Sequence, residues 1–269
     1  MRHPFQLRAI YWGGFLLLVS LAIPGHAEPP AAPVKKPNLE HLAKLPASEF
    51  TKIVNSSRSP DKRLAIGVGS LDGSKPKWEQ VPPEYDDGTS VLAYDEAADH
   101  AGNYLIDVGT NRVTAVLDAK HFGTRDHYNH ESAKFVWSAN SRWLVEVQSW
   151  KWCTAVCSVH RVSPEGRLLA RLDFLPLAEK AALAQLRKQA PKLTEEQRRK
   201  YAVTIEDATI SNDGKLTAKL RADAGKDENS EYVNLSVAVK LEATKDGTLS
   251  AQVIKAEPIK EEAAERSSE

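Results

Sequence analysis

The densest run of side chains able to do chemistry is Arg125-Asp126-His127-Tyr128-Asn129-His130-Glu131, with His121 shortly before it. His127 and His130 stand three residues apart. On a helical turn both imidazoles would meet one metal ion, with Asp126 or Glu131 adding an oxygen; on a strand they would face opposite ways. No apolar helical stripe accompanies them, so a solvated loop between β units is the competing reading. Asp126, His127 and His130 are the candidate metal ligands. The acidic pairs Asp86-Asp87 and Asp95-Glu96 fit no calcium-loop spacing and read as a solvated charge run. The chain carries no G-x-S-x-G elbow, no phosphate-binding glycine loop and no H-E-x-x-H. No catalytic residue is nominated, and no cofactor is expected.

Trp137, Trp143, Trp150 and Trp152 form a second concentration. At a strand period of two, Trp150 and Trp152 share a face and Trp143 lies on the other. Indoles on a half-buried sheet usually pack, whereas an exposed group of them makes a platform for sugar, peptide or protein. Trp143, Trp150 and Trp152 are therefore the candidate binding residues. The chain has two cysteines, Cys153 and Cys157. A disulfide between them requires Cα atoms within roughly 7 Å, which a tight turn permits and an extended strand does not. A turn-stapling disulfide leads, with free buried thiols, or a redox or metal role, as alternatives. The C-x-x-x-C spacing is not that of thiol oxidoreductases.

The N-terminus sets the compartment. Arg2 and Arg8 make a basic start, Ala9 to Ile23 is apolar, Pro24 breaks the run, and Gly25-His26-Ala27 supplies small residues for cleavage before Glu28. This predicts a signal peptide over 1–27 and a periplasmic or extracellular protein. The apolar stretch is shorter than the roughly 20 residues of a membrane-spanning helix, and no other stretch is a membrane candidate. The full chain of 269 residues carries 36 basic and 36 acidic side chains. Such a balance does not attract polyphosphate, so nucleic acid is not expected as a partner.

The elements that must position these residues read as β. Val233, Leu235, Val237, Val239 and Leu241 alternate with polar neighbours, as do Leu216, Ala218, Leu220 and Ala222. Turn signals separate such runs at Ser59-Pro60-Asp61, Asn140-Ser141, Ser163-Pro164-Glu165-Gly166, Asn212-Asp213-Gly214 and Asp246-Gly247. One stretch is helical: Leu175, Ala178, Ala182, Leu183, Leu186 and Ala190 share a face, Pro176 opens it and Pro191 closes it. With a capping box at Thr194 and Gln197, this predicts a helical hairpin over 176–202. A proline-rich linker and short helix fill 28–50, a β-rich domain spans 51–255, and a charged, disordered tail follows over 256–269.

The hairpins group into three four-stranded units, beginning near Thr51, Ala133 and Val203. Each is the size of one propeller blade. Ser59-Pro60-Asp61-Lys62-Arg63-Leu64, Trp137-Ser138-Ala139-Asn140-Ser141-Arg142-Trp143-Leu144 and Ser211-Asn212-Asp213-Gly214-Lys215-Leu216 open their first hairpins. These segments resemble the W-S-P-D-G-K/R-x-L/I signature of TolB-like β-propeller repeats. The second copy lacks Pro, Asp and Gly, and the third lacks Pro. The resemblance implies a fold and no reaction. Closed propellers have four to eight blades, so three units predict an open, propeller-like array, a sandwich or a partial barrel. Its edges need covers: the helical insert, the termini or a second copy of the chain in a homo-oligomer. The expectation is an exported, non-catalytic β scaffold that binds a protein or glycan. The alternative is an envelope hydrolase with a loop-borne, metal-dependent site around 126–131.

Overall fold

The computed structural model describes residues 37–75, 101–118, 132–149, 153–189, 194, 201–223, 232–244 and 248–259. They fall within one unit, Lys35–Glu269. Two short helices, α1 (Leu39–Leu42) and α2 (Ala47–Phe50), precede a first antiparallel sheet of β1 (Thr51–Ile53), β2 (Leu64–Ser70), β3 (Ala101–Asp107) and β4 (Arg112–Val116). The second sheet is β5 (Ser132–Trp137), β6 (Trp143–Ser149), β7 (Thr154–Val162) and β8 (Leu168–Asp173). Helix α3 (Leu175–Gln189) leads to the third sheet: β9 (Ala202–Ile210), β10 (Lys215–Asp223), β11 (Tyr232–Ala243) and β12 (Leu249–Pro258). Each sheet is a meander of sequential strands, and none closes into a barrel. The protein is therefore mainly β, with three blade-like units in an open array.

The two-residue period decides how the sheets stack. In the third sheet, Leu216, Ala218, Leu220 and Ala222 stand opposite Val239, Val237, Leu235 and Val233. That face is buried, while Lys215, Lys219 and Arg221 on the other reach water. The second sheet behaves differently, because β6 is buried from Trp143 to Gln148 on both faces. Leu144 packs with Leu64, Ile66, Leu105 and Val162 against the first sheet. Trp143, Val145 and Val147 pack with the third sheet and α3. The second sheet thus lies between the other two, and strands buried on both faces lose the clean polar alternation of a one-sided sheet.

Helix and glycine placement finishes the stack. Ala178, Ala182 and Leu186 of α3 are fully buried between β7 and the third sheet. Leu42, Ala47 and Phe50 cover the far face of the first sheet, over Tyr104, Ile106 and Val113. Gly69 permits this approach, since a Cβ there would collide with the Phe50 carbonyl. Tyr104 meets Phe50 edge to face and donates its hydroxyl to the Ser70 carbonyl at 2.7 Å. The far face of the third sheet is polar and needs no cover.

Two boundaries differ from the sequence reading. β12 continues to Pro258, into the expected tail, because Leu235 pairs with Pro258 and Ile259 N–H donates to the Asn234 carbonyl. Ala202 begins β9 instead of ending a helix, since it pairs with Asp223. The second arm of the expected helical hairpin, residues 195–200, lies outside the described residues.

Candidate functional site

Two places concentrate polar chemistry. The first lies between the first and second sheets. Glu146 pairs with Ser158 across β6 and β7, and His160 pairs with Leu144 on one side and Arg171 on the other. Strand alternation then aims Glu146, Ser158, His160 and Arg171 at the first sheet. From that sheet Asp118 arrives, just after the buried Leu117 that anchors the end of β4. Arg171 Nε lies 2.6 Å from Asp118 Oδ2, and His160 Nε2 is 3.8 Å from the same oxygen. His160 Nε2 also lies against Glu146 Oε1.

Burial makes this cluster unusual. Glu146 is 0% and His160 1% exposed. Burying ionisable groups is costly unless they are paired, which makes this convergence of carboxyl and imidazole side chains uncommon. The ligand atoms of Asp118, Glu146 and His160 all lie within 4.8 Å of one another. Among the described residues neither nitrogen of His160 has a hydrogen-bond partner, although Nε2 lies against Glu146. The buried Ser158 hydroxyl is also without a hydrogen-bond partner.

The second place is a rim built by the repeated turns. Ser59, Ser138 and Ser211 each donate Oγ–H to the acidic or amide residue two positions on, Asp61, Asn140 and Asp213, at 2.6, 2.8 and 2.5 Å. Each serine carbonyl accepts from the N–H three residues later, on Lys62, Ser141 and Gly214. Those three residues have φ of 61°, 59° and 80°. One left-handed turn therefore recurs in all three units. The turns also join each other: Asp61 N–H donates to Ser141 Oγ at 3.3 Å, and Asn140 N–H to Asn212 Oδ1 at 2.8 Å. Beside them lies a cleft of about 170 Å³, lined by Asp61, Arg63, Arg142, Ser163 and Pro164 among others. Hydrogen bonds from Ser59 and Arg63 N–H and the charge of Arg63 outweigh partial burial and hold the Asp61 carboxyl below its ordinary range.

The residues singled out from sequence fare unequally. Trp143 is 2% exposed in the core, with Arg161 4.6 Å over its ring, so it cannot join a surface platform. Trp150, Trp152, Asp126, His127 and His130 lie outside the described residues, as do Asp86-Asp87 and Asp95-Glu96. The expected disulfide is not formed. Cys153 and Cys157 are free thiols, and Cys157 sits within β7 opposite Val147. An extended run of that length spans on the order of 10 Å, past the reach of a disulfide. Burial raises both thiols above their ordinary pKa, Cys157 the more, which keeps them protonated.

Sequence reasoning missed Glu146 and His160. Glu146 carried one signal, as the lone ionisable residue in the apolar run Leu144-Val145-Glu146-Val147, whereas His160 is followed directly by Arg161 in β7. Asp118 and Arg171 carried no such mark. No protein-family model matches the chain, and no curated protein matches it either.

Proposed function

We propose that this chain is an exported, non-catalytic β scaffold that binds a partner protein through its rim of repeated turns. The observation carrying this reading is the fusion of the three turns by hydrogen bonds between Asp61 and Ser141 and between Asn140 and Asn212. Such cross-links fix the rim in one shape, and a preorganised surface loses little freedom when it binds. The cleft offers the guanidinium groups of Arg63 and Arg142 beside serine and asparagine. Among the described residues its lining has no aromatic ring for sugar stacking, and two guanidinium groups stand against the single Asp61 carboxylate, which favours an acidic protein segment over a glycan. The recurring turn also supports kinship with TolB-like repeats, and the export signal supports a periplasmic or extracellular site of action. The hydrolase alternative rests on residues 126–131, outside the described residues.

A photo-crosslinking side chain at Lys62, exposed on the first turn and bonded in it only through its backbone N–H, tests the proposal in the envelope, with one at Lys219 on the far face of the third sheet as control. The rim position is expected to capture a discrete partner, and Arg63→Glu with Arg142→Glu to abolish capture while the melting temperature holds. Equal capture from Lys219, or capture surviving both charge reversals, would refute it.

A further inference from the structure

The cluster between the first two sheets plays no part in the rim, and its geometry has a separate meaning. Two carboxylates and one imidazole converge from two sheets, with one guanidinium at the side of Asp118. Were His160 a buried imidazolium, both of its N–H groups would need acceptors. Among the described residues neither has one: Nδ1 has no hydrogen-bond partner, and Nε2 lies against Glu146 without forming a hydrogen bond. Were it neutral with its Nε2 lone pair turned inward, that lone pair would face carboxylate oxygens and be repelled. A cation among the three atoms removes the conflict at Nε2, because each ligand then directs a lone pair at the ion, and the proton stays on Nδ1. Arg171 does not forestall this. It forms an ion pair with Asp118 Oδ2 but no hydrogen bond to it, and a carboxylate has about four acceptor sites.

We propose that Asp118, Glu146 and His160 bind one divalent transition-metal ion of the zinc or manganese class, clasping the first sheet to the second. The donor set decides the class. Two carboxylate oxygens and one imidazole nitrogen suit a borderline ion, whereas calcium takes oxygens alone and copper(I) takes sulfur. The side chain of Asp118 is 24% exposed, which gives the ion its way in. Three protein ligands leave a coordination position for water, and the buried Ser158 hydroxyl stands beside Glu146 as a partner for such outer-sphere contacts.

The test uses the full mature chain, stripped of metal, then dialysed against zinc chloride or manganese chloride and assayed by mass spectrometry for bound metal. One equivalent per chain is expected, together with a melting temperature that rises with metal concentration. His160→Gln is expected to weaken binding at least tenfold, and so is Asp118→Asn. The latter alters a partly exposed residue, so it keeps the test decisive if the buried variant does not fold. A His127→Ala/His130→Ala double variant is expected to bind like the parent. Loss of the metal in that double variant, or metal content unchanged in Asp118→Asn, overturns the proposal; so does a parent chain that binds neither ion.

Discussion

Arg171 on β8 and Asp118 at the end of the first sheet meet with Nε 2.6 Å from Oδ2, tying two sheets through one ion pair. Arg171 is 54% exposed, so water weakens the attraction, and the pair is worth about 0.5–1 kcal/mol. Arg171→Met is expected to lower the unfolding free energy obtained from urea titration by that amount. In a double-mutant cycle with Asp118→Asn the two losses should be less than additive. Strict additivity would show that the contact does not hold the sheets together.

The repeated turn makes opposite predictions at two equivalent positions. Lys62 adopts φ 61° as a lysine, and its backbone N–H makes the turn bond to Ser59. Lys62→Gly keeps that bond and removes the left-handed penalty, so stability should hold or rise by about 1 kcal/mol. Gly214 adopts φ 80°, and a Cβ there would stand 2.7 Å from Trp143 Cζ2. Gly214→Ala should cost about 1–2 kcal/mol or more. Thermal denaturation of the two variants side by side reads the difference in sign.

Acid should reach the third turn late. The Lys240 ammonium, 2.6 Å from Asp213 Oδ2, and the Ser211 hydroxyl hold the Asp213 carboxyl down to about 2, from an ordinary 3.8. A folded-state value below the unfolded one means that the ion pair contributes above the unfolded value and is lost as pH falls through the folded one. Its contribution is therefore intact above about pH 4 and gone near pH 2. Carboxyl resonances followed by NMR should place the Asp213 midpoint near 2. Lys240→Met should move it upward, though not fully, since the Ser211 bond remains.

The thiols give a simple check on the second sheet. Intact mass should show both cysteines reduced. Alkylation of the native protein should reach Cys153 slowly and spare Cys157, which is 1% exposed, until denaturant opens the core. Equal labelling of both under native conditions would mean that β7 is not packed as described.

The third sheet was legible because its strands keep one wet face. The alternation of the buried Val233, Leu235 and Val237 with the half-buried Asn234 and Ser236 reports burial directly. The second sheet was legible in its turns but not in its interior. With both faces of β6 covered, Trp143 and Glu146 are buried alike, and no period separates a core indole from a binding one. The cysteines misled for a related reason: spacing alone does not say whether the backbone between them turns or extends. The acid–histidine cluster was invisible because Asp118 and His160 are 3.8 Å apart in space and lie on different sheets.

A middle sheet whose strand β6 has no wet face also ranks the molecule by how readily its amides meet solvent. The strand β12 is exposed over Gln252 to Pro258 and can fray alone, surrendering its protons to deuterium within local openings. The central amides of β6 and β7 have no such route, because one or both flanking sheets must first separate. Their protection should approach that of global unfolding, which makes the second sheet the timekeeper for the whole array.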